Sequence, residues 1–102
     1  MMPVDLSLLH AEDFRPYLNQ TMYIHFEVSV KLPAVLVSVT GLENHNRAKR
    51  QPFSIVFKTV QKSSYYGQAI YIIEHPDKGS MEIFLVPLGP DGDGMKYEAV
   101  FS

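Results

Sequence analysis

The chain has no cysteine. That excludes a disulfide framework, a thiol nucleophile and every zinc site built on thiolates, and it fits a reducing compartment. No apolar run is long enough to cross a bilayer. The opening "MMPVDLSLLHAEDF" carries no basic leader, and Asp5, His10 and Glu12 break up its apolar residues. No secretory signal is therefore expected, and the cytoplasm is the expected location. Positive charge is not in excess: 9 Lys+Arg against 11 Asp+Glu give a net charge of −2. That balance argues against a whole-protein field for nucleic acid or for an anionic membrane. No internal repeat, low-complexity tract or linker divides the chain.

What is present suffices for one packed core. With 102 residues, 46% of them hydrophobic and 20% charged, the composition is globular, and a second core could not be closed with what the first leaves over. One β-rich domain over residues 1–102 is expected, its core running from Leu6 to Phe101. In "SLLHAEDFRPYL" a short N-terminal helix is predicted, started at Ser7 or His10, with Glu12 and Asp13 at its positive end and Pro16 limiting its length. Leu9, Phe14, Tyr17 and Leu18 would be its buried contacts.

From Thr21 the period changes to two. "TMYIHFEVSV" places Met22, Ile24, Phe26, Val28 and Val30 on one face, and "AVLVSVT" does the same with Val35, Val37 and Val39, with Pro33 confined to the start or to an edge. "FSIVFK" puts Phe53, Ile55 and Phe57 together, and "KYEAVF" does so with Tyr97, Ala99 and Phe101. In "HPDKG", Pro76 presets the first turn position and Gly79 can take positive φ, which predicts a four-residue hairpin loop built on a type I turn. Pairing His75 with Ser80 would then set Tyr71 opposite Phe84 and Ile73 opposite Glu82 on one face. Ile70 opposite Leu85 and Ile72 opposite Ile83 would occupy the other. Six antiparallel strands and a short N-terminal helix make a mainly β fold, a small barrel or a two-sheet sandwich.

The segments "PFSIVFK", "IYIIEHPDKG" and "MEIFLVPLGPDGDGMKYEAVF" resemble a family of small, mostly bacterial proteins classed as a domain of unknown function. Its members share a Phe-Ser strand, a Glu-His-Pro turn followed by Gly, and a Leu-Val-Pro…Gly-Pro-Asp…Tyr-Glu-Ala-Val-Phe ending. The opening "AEDFRPYLNQT" is similar to theirs as well, whereas "YYGQAIY" departs from the Pro-Gln-Gly that members carry there. The resemblance implies a shared fold and no established catalytic or binding residues. It also implies, through gene neighbourhoods of phage-tail-collar-like proteins, a structural or assembly role.

Most candidate chemistry has a plain structural alternative. "GPDGDG" offers Asp91 and Asp93 at EF-hand spacing, but Met95 stands at the third ligand position and no glutamate closes the loop. It is not a phosphate cradle either, since it leads into a strand rather than a helix. A polar turn is the expectation. The histidines His10, His25, His45 and His75 show no paired metal-ligand spacing. His25 with Glu27 could pair as acid and base, although a solvated strand face explains both, and His75 before Pro76 suits an imidazole that hydrogen-bonds the backbone. Ser54 lacks a nucleophile elbow and reads as an outward strand hydroxyl. Arg47, Lys49 and Arg50 beside His45 form the one basic cluster. With Tyr65 and Tyr66 they could make a groove for single-stranded nucleic acid, against the negative overall charge.

The surplus of apolar surface is the stronger signal. Tyr71, Ile73, Phe84 and Val86 cannot share a core face with Ile70, Ile72, Ile83 and Leu85. The N-terminal helix could cover the second face through Leu9, Phe14 and Leu18, or a partner protein or second copy could. The expectation is a non-enzymatic interaction or assembly module, without cofactor, metal or catalytic residues, whose candidate interaction face is Tyr71, Ile73, Phe84 and Val86. The alternative is a binding domain for a small ligand, ion or nucleic acid. Its loops, carrying Arg47, Lys49, Arg50, Tyr65, Tyr66, Asp91 and Asp93, would gather at one end of the barrel.

Overall fold

The computed structural model describes residues 5–44 and 50–102. Six antiparallel strands, β1 (Thr21–Glu27), β2 (Val30–Gly41), β3 (Phe53–Thr59), β4 (Ala69–His75), β5 (Gly79–Asp91) and β6 (Gly94–Phe101), form the fold. They close in the order β1-β2-β3-β6-β5-β4, with β4 pairing back onto β1. The fold is therefore a barrel and not a sandwich. Among the described residues no helix is long and apolar enough to cross a membrane.

Alternation explains most of the interior. Met22, Ile24 and Phe26 of β1, Phe53, Ile55 and Phe57 of β3, and Tyr97, Ala99 and Phe101 of β6 all point inward, as their period of two predicts. On β2 the parity is the reverse of the expected one at first. Ala34 and Leu36 are buried, not Val35 and Val37, until a bulge between Leu36 and Ser38 makes Val37 the extra residue and returns Val39 to the core side. Pro33 lies beyond the β2–β3 ladder, which starts at Val35, so its missing N–H leaves no gap there. The first strand is shorter than expected because Val28 and Ser29 form the β1–β2 turn; Val28 is fully exposed.

The β4–β5 hairpin corrects the expected register. Only Pro76, Asp77 and Lys78 separate the closing pair, His75 and Gly79, and Gly79 takes φ 78°. This is the three-residue loop that couples a turn to a left-handed residue. A loop one residue shorter slips the pairing by one, which turns every β5 side chain to the opposite face relative to the expectation. Tyr71 now faces Ile83 and Ile73 faces Met81 inside, while Ile70 pairs with Phe84 and Ile72 with Glu82 outside.

The N-terminal segment is helical as expected, with its short helix over residues 11–17, but it does not cover that outer face. It makes three single 3-10 turns, Leu6–Leu8, Ala11–Asp13 and Arg15–Tyr17, and lies across the end of the barrel where β3 begins and β6 ends. The backbone N–H of His10 donates to Asp13 Oδ2 at 2.8 Å, capping the second turn. Phe14 is fully buried against Phe53, Phe101 and His75, at ring separations of 6.0, 5.9 and 5.3 Å, and Leu9 is buried with it. Burial of two such side chains stabilises the closed end by roughly 1.5–3 kcal/mol each. Tyr17 is half-buried and Leu18 is exposed, so the expected fourth contact is absent.

The opposite end is closed by the coil between β3 and β4. Tyr66 stacks on Phe26 at 4.6 Å, its N–H donates to the Tyr97 hydroxyl at 3.0 Å, and that hydroxyl donates to Gln61 Oε1 at 2.8 Å. The buried Tyr97 thus has its polar atom satisfied, as a buried phenol requires. Burial pushes its hydroxyl pKa up.

A candidate interaction face on the barrel wall

The wall formed by β1, β4 and β5 carries Ile70, Ile72 and Phe84 outward, at 66%, 39% and 51% exposure. Strand pairing holds them together: Ile70 is opposite Phe84, and the Ile72–Glu82 row continues across β1 to His25. Three side chains that gain little from folding stand side by side in water. The expected face of Tyr71, Ile73, Phe84 and Val86 is therefore split. Ile73 is fully buried and Tyr71 packs edge-on to Phe26 at 4.9 Å, both inside, while Phe84 and Val86 point out.

Beside this patch sits an ion cluster. His25 Nε2 donates to Glu74 Oε2 at 2.5 Å, and Lys31 Nζ approaches the same oxygen at 3.5 Å while standing 5.1 Å from the centre of the Tyr23 ring. The hydrogen bond from His25, with help from Lys31, holds the Glu74 carboxyl below the usual carboxylate range. The candidate His25–Glu27 pair does not form. Glu27 instead accepts from the Tyr66 hydroxyl at 2.8 Å, because the bulge between His25 and Glu27 turns that part of β1 toward the coil.

The candidate loop residues separate into two groups. Arg47, Lys49 and His45 lie outside the described residues. Arg50 is at the N-terminal-segment end of the barrel and is fully engaged: its guanidinium donates to the carbonyls of Leu6, Leu9 and Ser102 and lies over the rings of Phe53 and Phe101 at 5.6 and 5.7 Å. It clasps chain segments together and leaves no donor fork for a ligand. Tyr65 and Tyr66 lie toward the other end, so the candidate basic and aromatic groove is not assembled from Arg50 and these tyrosines.

Two of the three loops do meet. Tyr65, Pro87, Leu88, Gly89, Pro90 and Met95 line a largely apolar cleft of about 290 Å³. Next to it, "GPDGDG" is the end of β5 and a two-residue turn, Gly92-Asp93, with Gly92 at φ 62°. Asp91 is held by Lys96 at 3.4 Å and Lys58 at 3.5 Å, and these contacts, that with Lys96 first, keep its carboxyl low. Asp93 lies 4.0 Å from Lys58. The two acids are occupied by lysines, and among the described residues no group of three His, Cys, Asp or Glu side chains could hold a metal ion. Gly94 is required by close approach: a Cβ there would come within 2.2 Å of the Thr59 carbonyl oxygen.

His75 has a structural assignment. Its Nε2 donates to the Asp13 carbonyl at 2.7 Å, and its Nδ1 accepts from the N–H groups of Asp77 and Lys78 at 3.0 and 3.1 Å. The imidazole ties the N-terminal segment to the β4–β5 turn. Ser54 lies on the outward side of the ladder between Thr40 and Val100, yet is buried. The sequence reading missed Ile70 and Ile72 as exposed, and it missed the His25–Glu74 pair, which spans 49 positions and carries no local spacing signal.

Residues 9–101 match the family model described as Domain of unknown function (DUF6916). No curated protein and no solved structure matches the chain.

Proposed function

The chain belongs to the DUF6916 family of unknown function, and we propose that it is a non-enzymatic interaction or assembly module whose Ile70, Ile72 and Phe84 wall docks against another protein. The observation that carries this reading is the exposure of those three side chains on adjoining strands, with the N-terminal segment committed to the barrel end instead of covering them. Contiguous exposed apolar side chains rimmed by polar groups are the usual mark of a protein contact. The titratable residues support a role without catalysis, since Glu74, Asp91, Asp13 and His75 are each tied into an ion pair or a backbone hydrogen bond. The reading places the module in the cytoplasm, takes nucleic acid and membrane as non-partners, and accommodates the role beside phage-tail-like proteins that the family resemblance implies.

Light scattering across a concentration series, on the native chain and on Phe84→Glu, tests the reading with a second copy as the first partner. Self-association abolished by the substitution, with the circular dichroism spectrum retained, supports it. A protein that stays monomeric, and in which Phe84→Glu leaves the binding of an apolar dye unchanged, overturns it. A second reading has its own observation, the cleft between Tyr65 and Pro87–Pro90, which suits a small apolar ligand. A Tyr65→Ala variant that loses such binding while Phe84→Glu retains it would favour that alternative.

A further inference from the structure

The barrel is closed most weakly between β1 and β4. That ladder runs over three pairs, Tyr23–Glu74, Ile24–Ile73 and His25–Ile72, whereas β4 and β5 pair along the whole of β4. The β1 ladder ends at His25, next to the bulge between His25 and Glu27, so Ala69, Ile70 and Tyr71 lie outside it. At about 3.3 Å per residue this leaves roughly 10 Å of strand edge. A groove of about 410 Å³ opens there, with apolar sides from Phe26, Val28, Ile70, Tyr71 and Ile72.

The charge of this groove selects its occupant. Glu27 and Glu82 line it, and Glu82 makes no ion pair or hydrogen bond among the described residues. Among the described residues Glu27 accepts only the neutral Tyr66 hydroxyl. The basic side chains nearby are already committed: His25 donates to Glu74, and Lys31 is drawn to Glu74 and Tyr23 and does not line the groove. Two exposed carboxylates beside an apolar floor repel a phosphate backbone or an anionic lipid and attract an ammonium or guanidinium group.

We propose that the groove where β4 leaves β1 receives an extended segment of a partner protein carrying a basic side chain between apolar ones. The segment lies along Ala69–Tyr71, its apolar side chains rest on Ile70 and Ile72, and its cation reaches Glu82 and Glu27. The inference rests on the interaction reading above and names the partner's chemistry.

Blocked pentapeptides of the pattern Val-Thr-X-Thr-Val, which puts both valines and X on one face of an extended segment, with X lysine, glutamine or glutamate, are titrated into the full chain labelled with nitrogen-15. The lysine peptide is expected to shift the amides of Val28 and of residues 69–71 and to bind about tenfold more tightly than the glutamate peptide. Exposed ion pairs of this kind are worth about threefold each, so Glu82→Gln and Glu27→Gln should each weaken the lysine peptide by about threefold, and added salt should narrow the difference. Equal affinity for all three peptides overturns the basic-segment proposal while leaving an apolar docking wall. Shifts outside the groove, or none, overturn it too. If Phe84→Glu still abolishes self-association in that case, the interaction reading survives alone; if it does not, both fall.

Discussion

Replacing Phe14 by alanine separates two roles for the N-terminal segment, a plug in the barrel end or a cover for the outer wall. The ring is fully buried and touches Phe53, Phe101 and His75, which come from three different strands. The segment cannot slide to refill the hole, because Arg50 holds the Leu6 and Leu9 carbonyls and His75 holds that of Asp13. Truncations of buried phenylalanine cost about 3–5 kcal/mol, and access of water at a barrel end places this one near the lower figure, about 3 kcal/mol. A domain of this size has roughly 5–15 kcal/mol of stability in all, so the loss is large. Urea unfolding followed by circular dichroism should show a lowered midpoint with an unchanged slope. Leu18→Ala, at an exposed position of the same segment, should stay within about 0.5 kcal/mol of the native chain. A Phe14→Ala loss below about 1 kcal/mol, or an equal loss from Leu18→Ala, would refute the plug.

Three further outcomes follow from single contacts. Gly94→Ala drives a methyl group into the Thr59 carbonyl and should cost about 1–3 kcal/mol in the same assay, whereas Gly67→Ala, with no neighbouring atom within 4 Å, should be nearly neutral. His75→Ala orphans the N–H groups of Asp77 and Lys78 and the Asp13 carbonyl, and should cost at least about 2 kcal/mol and speed hydrogen exchange at those two amides. Acid should weaken the fold through Asp13 and Glu74. The His10 N–H, then Lys78, lowers the first carboxyl and the His25 hydrogen bond, then Lys31, lowers the second. A lowered folded-state pKa stabilises above the unfolded value, and that contribution is lost as the pH falls below about 4.5 and through the folded values. Glu74→Gln should flatten this acid arm in urea titrations at stepped pH; an unchanged arm would show that the His25–Glu74 bond carries none of it.

Much of the barrel was legible because a half-buried strand writes its inward face into a period of two. Phe53, Ile55 and Phe57 needed nothing else, nor did Tyr97, Ala99 and Phe101. Parity failed where a single backbone residue intervened. The bulge at Val37 carries no turn residue, so Ala34 and Leu36 could not be distinguished from Val35 and Val37 by pattern alone. The same limit applied to the β4–β5 hairpin, where Gly79 permits either a four-residue loop or a three-residue loop closed by positive φ. On strands that are apolar on both faces, hydrophobicity does not choose between registers, so the candidate face inherited the slip. The N-terminal segment was legible as helical but not in where it packs. Its acids and Pro16 mark helical starts correctly, but each turn is too short to present a stripe, and Phe14 is aimed by its cap into the barrel mouth.

The distribution of outward side chains on this barrel is uneven, and β-propensity alone does not account for it. On β3 and β6 the outward rows carry Lys58, Lys96 and Glu98 beside Ser54, Val56 and Val100, and the lysines neutralise Asp91 at the adjoining turn. On β4 and β5 the corresponding rows carry Ile70, Ile72 and Phe84 beside Glu74 and Glu82. Isoleucine and phenylalanine favour strands because they pack against neighbours on a half-covered surface, an advantage that fades when the side chain stays in water. The interior cannot use them, since Phe14 and its neighbours fill one mouth and Phe26, Tyr66 and Tyr97 the other. Their energetic return comes only when another surface removes them from water, at roughly 25 cal/mol per Å² of apolar area. The weakest ladder of the barrel runs along the same wall, so backbone pairing is available to a partner at the place where apolar burial is available too. On the proposed reading a docking segment would draw on both at once, and Glu82 would favour a basic one.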